Sequence, residues 1–143
     1  MTDHPARHHF PHFHPILTRH HDSDLNGLIA GPAVHGFFDT AIHAYLHQQA
    51  GLDLQEGVVV GVVVSSTADF FALPAFPEVL EVGLRVTRLA GSTVQYQTAL
   101  FRAGDEEACA AGKIVQVFVD RQTGMPVTLP DTLQSALTLL QQA

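Results

Sequence analysis

The stretch Pro32-Ala-Val-His-Gly-Phe-Phe-Asp-Thr-Ala-Ile-His-Ala-Tyr-Leu-His-Gln-Gln49 decides how the rest of the chain is read. Val34, Phe37, Phe38, Ala41, Ile42, Tyr45 and Leu46 recur at the i, i+3, i+4, i+7 spacing that gathers side chains on one broad face of an α-helix. Gly36, Thr40 and Ala44 flank that face. The polar side chains fall mainly on a single i, i+4 line, His35, Asp39, His43 and His47. A helix with so narrow a polar perimeter is expected to lie sunk against a sheet. Gly31-Pro32 marks its start, because a proline in the first turn has no N–H to leave unpaired. Gly51 marks its end.

Composition bounds the rest. A chain of 143 residues suits one domain, residues 1–143, with a sizeable core. Apolar residues at 46 % against charged residues at 15 % exclude disorder and imply a soluble globule. No apolar run approaches the twenty or so residues of a membrane-crossing helix. The scarcity of charge and the long valine run point to surface hidden in an oligomer. A net charge of −7, with Lys113 the single lysine, excludes a nucleic-acid footprint. Cys109 has no partner for a disulfide and reads as a small core residue. No secretory leader is recognisable, so a cytoplasmic setting is expected.

The segment 1–12 is expected to be loose, and the five histidines before Pro15 read as part of that terminus rather than as a metal tract. Phe13 to Arg19 predicts a first strand, with Pro15 confining that position to a sheet edge or a strand start. Residues 20 to 31 are too rich in turn formers to be regular. After the helix the period changes to two. Gly57 to Val64, continuing through Phe70, predicts a central strand covered on both faces. Leu80 to Thr87, Val94 to Leu100 and about Ala108 to Asp120 predict three more strands, turning at Gly91-Ser92 and Ala103-Gly104-Asp105. Pro130-Asp131 opens a terminal helix with Leu133, Ala136, Leu137 and Leu140 on one face. Short turns require antiparallel neighbours, so the expected product is an α+β fold, one antiparallel five-stranded sheet wrapped around one long helix.

Arg19-His-His-Asp22-Ser-Asp24-Leu-Asn-Gly27, followed by a helix carrying Phe37-Phe38-Asp39 and Tyr45-Leu46, resembles the opening motif of hotdog-fold acyl-CoA thioesterases of the 4-hydroxybenzoyl-CoA thioesterase type. Ala68-Asp69-Phe70, Phe76 to Val82, Gly91-Ser92, Val117 to Asp120 with Thr123-Gly124, and Leu129-Pro130 continue the resemblance over roughly residues 13 to 140. It implies a hotdog fold, hydrolysis of an acyl thioester of coenzyme A or an acyl carrier protein, no metal or cofactor beyond that coenzyme, and a homodimer or homotetramer with the site between subunits. It places the catalytic carboxylate at Asp24 and the backbone oxyanion donor at Gly31.

The chemistry agrees with that assignment. Thioester hydrolysis needs a carboxylate to activate water or attack the carbonyl, and a donor for the developing oxyanion. The unpaired N–H groups of a helix start supply such a donor. Pro32 cannot donate, which leaves Gly31 and Ala33. Read from the spacing alone, Asp24 is an Asx-turn acceptor before it is a catalytic group, and the resemblance reverses that order. Asp22 reads as a structural acceptor. Asp39 is the alternative carboxylate, since Asp39-Thr-Ala41 looks like the catalytic segment of the phenylacetyl-CoA thioesterase branch, although that branch's His-Gly-Gly is absent; its local reading is an ion pair with His43. His35, Ser65, Ser66 and Thr67 are candidate substrate contacts, and Arg88 is the candidate for coenzyme A phosphates. A metal site from His20, His21 and Asp22 or Asp24 is disfavoured. No Gly-x-Ser-x-Gly elbow is present, and the helix lacks the Asp-x-x-x-x-His pair of hotdog hydratases. The rival function is a non-catalytic acyl-binding or scaffolding hotdog module.

Overall fold

The computed structural model describes residues 4–53 and 55–141. In chain order it contains β1 (His12–Leu17), α1 (Gly31–Ala50), β2 (Val59–Phe70), β3 (Val79–Ala90), β4 (Thr93–Arg102), β5 (Ala110–Asp120) and α2 (Asp131–Leu139), with single 3-10 turns at Arg7–His9 and His20–Asp22. The five strands form one antiparallel sheet in the order β1-β3-β4-β5-β2.

The seven apolar positions read from the helical spacing are the seven buried residues of α1. They pack on the inner sheet face, against Leu80, Val82, Leu84 and Val86 of β3, Val94, Tyr96 and Leu100 of β4, and Ala110, Ile114 and Phe118 of β5. Fully burying a side chain of this size contributes about 1.5–3 kcal/mol, so this face outweighs any intrinsic helix propensity. The expected glycine stop holds: Gly51 takes φ +65°, and the N–H groups of Gly51 and Leu52 bond back to His47 O at 3.0 Å and Leu46 O at 3.2 Å. α2 closes the remaining end of the core, where Tyr45 Oη donates to Ala136 O at 2.6 Å.

Of the two places open to Pro15 the structure takes the sheet edge, since among the described residues β1 pairs only with β3. The valine-rich strand differs from expectation. β2 is the opposite edge, bonded only to β5, with Val62 and Val64 exposed and a register shift between Val63 and Ser65. The expected cover on both faces is not found, since the face carrying Val62 and Val64 is open, and an apolar run does not report whether both edges are hydrogen-bonded.

The segment 1–12 differs as well. Residues 1–3 lie outside the described residues. Beyond them Phe10 is buried against Ala99, Phe101 and Ala108 on the outer sheet face. The Arg7 guanidinium lies 4.8 Å from the Phe13 ring and 5.0 Å from the Phe101 ring, and pairs with Glu81 at 2.9 Å. Aromatic rings carry this packing, which composition dominated by histidine and proline concealed. Among the described residues no helix is long and apolar enough to cross a membrane.

Candidate active site

The loop before α1 is built on Asp22. Its carboxylate is buried and accepts the Arg19 N–H at 2.8 Å and the Arg19 guanidinium at 3.0 Å, while its carbonyl accepts the Ala30 N–H at 2.8 Å. Burial pushes this carboxyl upward, but the two Arg19 donors and their charge more than offset it and hold it below the ordinary range. Asp22 therefore fixes the approach of the chain to the helix.

Asp24 lies at the exposed turn beyond it. Its Oδ1 accepts the N–H groups of Asn26 at 2.8 Å and Leu28 at 3.2 Å, the Asx-turn geometry, and Gly27 closes the turn at φ +78°. Oδ2 makes no bond within the protein among the described residues. At the helix start the amides divide cleanly. Ala33 and Val34 both donate to Ala30 O, at 3.0 and 3.3 Å, and Pro32 has no N–H. Ala33 is therefore removed as an oxyanion donor, and Gly31 keeps the one first-turn N–H without a partner among the described residues. A Cβ at Gly31 would stand 3.4 Å from the Phe70 ring, so the helix start lies directly against the exposed end of β2.

From that rung α1 and β2 run side by side. His35 Nδ1 lies 2.7 Å from Ser66 Oγ. Ser66 stands opposite the buried Ile114 on β5, whereas Ser65 and Thr67 stand opposite Val115 and Lys113. Ser65 and Thr67 accordingly line a trough on the helix-free face with Gln95, Gln97 and Lys113, away from Gly31. Alternation along a strand sends neighbours to opposite faces, so the three hydroxyls named together in sequence cannot share a site. Arg88 is exposed beside Gln95 on β3, separated from β2 by β4 and β5. Among the described residues no group of three His, Cys, Asp or Glu is placed to hold a metal ion.

Farther along the same seam a cavity of about 580 Å³ opens between α1 and β2, lined among others by Asp39, Thr40, His43, His47, Asp53 and Gly61. His43 Nδ1 lies 3.0 Å from Asp39 O and 3.3 Å from Asp39 Oδ1. His43 Nε2 faces Gln116 Nε2 at 3.3 Å, and Tyr96 Oη donates to Gln116 Oε1 at 2.7 Å. With the tyrosine proton on Oε1 and His43 neutral, the Gln116 amide donates to His43 Nε2 and the Nδ1 proton goes to Asp39. The Asp39 carboxylate raises the His43 pKa, helped by the carbonyls of Asp39 and Gly61 and opposed by burial; His43 in turn lowers the Asp39 pKa, again opposed by burial. Burial drives the Tyr96 hydroxyl far up, so it stays protonated and donates. Gln116 and Tyr96 were not singled out from sequence. The available signal was a glutamine standing between Ile114 and Phe118 on the apolar parity of its strand.

Residues 18–137 match the sequence profile of the thioesterase-like superfamily. Among solved structures the chain is similar to the PA5185 protein from Pseudomonas aeruginosa strain PAO1, with 50% identity, 97% of each chain covered and a TM-score of 0.96. It shares its fold with Slr0204, a 1,4-dihydroxy-2-naphthoyl-CoA thioesterase from Synechocystis, at 19% identity, 92% of this chain and 98% of that one covered, and a TM-score of 0.79. The BH1999 gentisyl-coenzyme A thioesterase aligns at 17% identity, over 88% of this chain and 99% of that one, with a TM-score of 0.76. No curated protein matches. A profile match spanning most of the sequence, and half-identity to a structure that superposes over nearly its whole length, lead to one conclusion: the chain belongs to the thioesterase-like superfamily and has its hotdog fold.

Proposed function

We propose that the protein hydrolyses an acyl thioester of coenzyme A, with Asp24 as general base or nucleophile and the Gly31 N–H as oxyanion donor. The observation that carries this reading is the unpaired Gly31 amide at the positive end of α1, preceded by a loop whose Asp24 keeps one carboxylate oxygen free. The two turn amides on Oδ1 orient the carboxylate and leave Oδ2 for water or for the carbonyl carbon. Exposed Phe70 lies against this end of the helix, and exposed Leu28 in the loop before it adds apolar surface that suits an acyl group.

The site is open on the β2 side. A twelve-residue edge strand bearing Val62 and Val64 is one that folded proteins cover, and a second copy pairing along it is the covering proposed here. Light scattering is expected to give a dimer or a multiple of one; a strict monomer would remove this part.

A second reading places the chemistry on Asp39, because Asp39 lines the cavity whereas Asp24 does not. Thiol release from an acyl-CoA panel by Asp24→Asn and Asp39→Asn separates the two. Loss in the first alone supports Asp24, and loss in the second alone moves the chemistry to Asp39. No turnover by the unmodified protein on any member leaves the non-catalytic module.

A further inference from the structure

His35 and Ser66, candidate substrate contacts by sequence, hold a position to which the hydrolytic steps above assign no chemical task. Gly31 and His35 are one turn apart on α1, which places their side-chain positions about 5–6 Å apart on one face. Phe70 and Ser66 are likewise four residues apart on β2, and the contacts match rung for rung, Gly31 against Phe70 and His35 against Ser66. His35 is therefore the titratable group one turn beyond the free amide on the open seam.

We propose that His35 is the general acid that protonates the departing thiolate, and that Ser66 is its positioning residue. This rests on the Asp24 and Gly31 reading above. Water adds to the thioester carbonyl as its proton passes to Asp24, and the oxyanion forms on the Gly31 N–H. The oxyanion electron pair then restores the C=O bond and breaks the C–S bond, while the Nε2 proton of a cationic His35 goes to sulfur. The products are a free thiol and a carboxylic acid, which ionises. The proton on Asp24 returns to His35 through water, so one turnover consumes one water and releases one proton.

In this proposal the 2.7 Å contact is Nδ1–H donating to Ser66 Oγ, which leaves the Nε2 proton as the one to transfer. An Nδ1–H bonded to Ser66 Oγ stays in place throughout, and the neutral tautomer it stabilises is the one left when Nε2 gives up its proton. Nε2 has no protein partner among the described residues. An alkyl thiolate is a poor enough leaving group to benefit from a proton, whereas a nitro-substituted aryl thiolate departs without one, so the two leaving groups separate an acid from a merely structural histidine.

The experiment compares an acyl-CoA with the 4-nitrothiophenyl ester of the same acid, using the unmodified protein, His35→Gln, Ser66→Ala and Ser66→Thr. General acid catalysis is typically worth about 10²–10⁴-fold, so His35→Gln is expected to lose about a hundredfold or more in kcat on the acyl-CoA while the aryl ester changes little. Ser66→Ala is expected to fall in the same direction by less, and Ser66→Thr, which restores a hydroxyl, to recover. Equal losses on both esters, or no loss in His35→Gln, overturn the proposal. In either case Asp24→Asn, which must fail on both esters if it is the base, still reports on the parent reading. A Ser66→Ala effect that Ser66→Thr does not reverse overturns the positioning role.

Discussion

Replacing Gly31 with proline removes the proposed oxyanion donor, and Gly31→Ala separates that loss from the effect of adding a side chain before Pro32. Gly31 is the first residue of α1, where proline is accommodated, and Ala30 before it sits at φ −69°, ψ 144°, the extended conformation that a following proline requires. Its N–H makes no bond among the described residues, so no hydrogen bond of theirs is lost. The ring's Cβ would lie 3.4 Å from Phe70, in contact with a ring that is itself exposed. Gly31 itself precedes Pro32, and a Cβ in helical backbone before a proline is crowded, so a modest loss of stability is expected that Gly31→Ala, which adds the same Cβ, shares. Catalysis should not hold. Removing one oxyanion donor costs about 10²–10³ in kcat, or roughly 3–4 kcal/mol of transition-state stabilisation. Thiol release under saturating acyl-CoA gives kcat, thermal unfolding gives Tm, and Gly31→Ala, which keeps the N–H beside the same phenylalanine, is the control. If Gly31→Pro keeps kcat within about threefold of Gly31→Ala at equal Tm, transition-state charge is not being stabilised at this amide and the argument from the helix start is refuted.

Two other outcomes test the packing and the polar chain. Gly112→Ala would bring its Cβ to 2.7 Å from Phe38 Cε2 and 2.8 Å from both Thr67 O and Thr98 Oγ1; one of these is backbone, so strain of about 1–3 kcal/mol and a Tm several degrees lower are expected, and an unchanged Tm would show that α1 is not seated as described. The Asp39–His43 pair gives stability a pH dependence. His43 is raised, so its contribution is complete below the ordinary histidine value of about 6.5 and is lost as pH rises through its folded value. Asp39 is lowered, so its contribution is present above about 3.9 and is lost as pH falls through its folded value. The Tm deficit of Asp39→Asn should therefore be largest between about pH 4 and 6.5 and shrink on both sides; a deficit independent of pH would count against the pair.

Much of this molecule follows from periodicity. The seven buried positions of α1, its glycine stop, the alternating strands β3 and β4 and the restricted placement of Pro15 all rest on interactions between residues near in sequence, or on the simple division of side chains between water and core. The loop that ends at Gly31 was legible in outline for the same reason, since turn formers and a proline announce where regular backbone cannot run. Asp22 and Asp24 could be named, but their division of labour could not, because only the folded loop shows which carboxylate is sealed by Arg19 and which keeps an oxygen free.

What tertiary structure alone decided is pairing at a distance. Strand order made β2 an edge, although its valines read as central, because hydrogen-bond partners in a sheet are assigned by the whole chain. The same register separated Ser66 from its neighbours Ser65 and Thr67 and set it against His35, and it brought Gln116, Tyr96 and His43 from three elements into one line. Local sequence carries the hydrophobic pattern that selects an α+β fold. The amide left free at Gly31, and the groups that surround it, exist only once α1 and β2 have met.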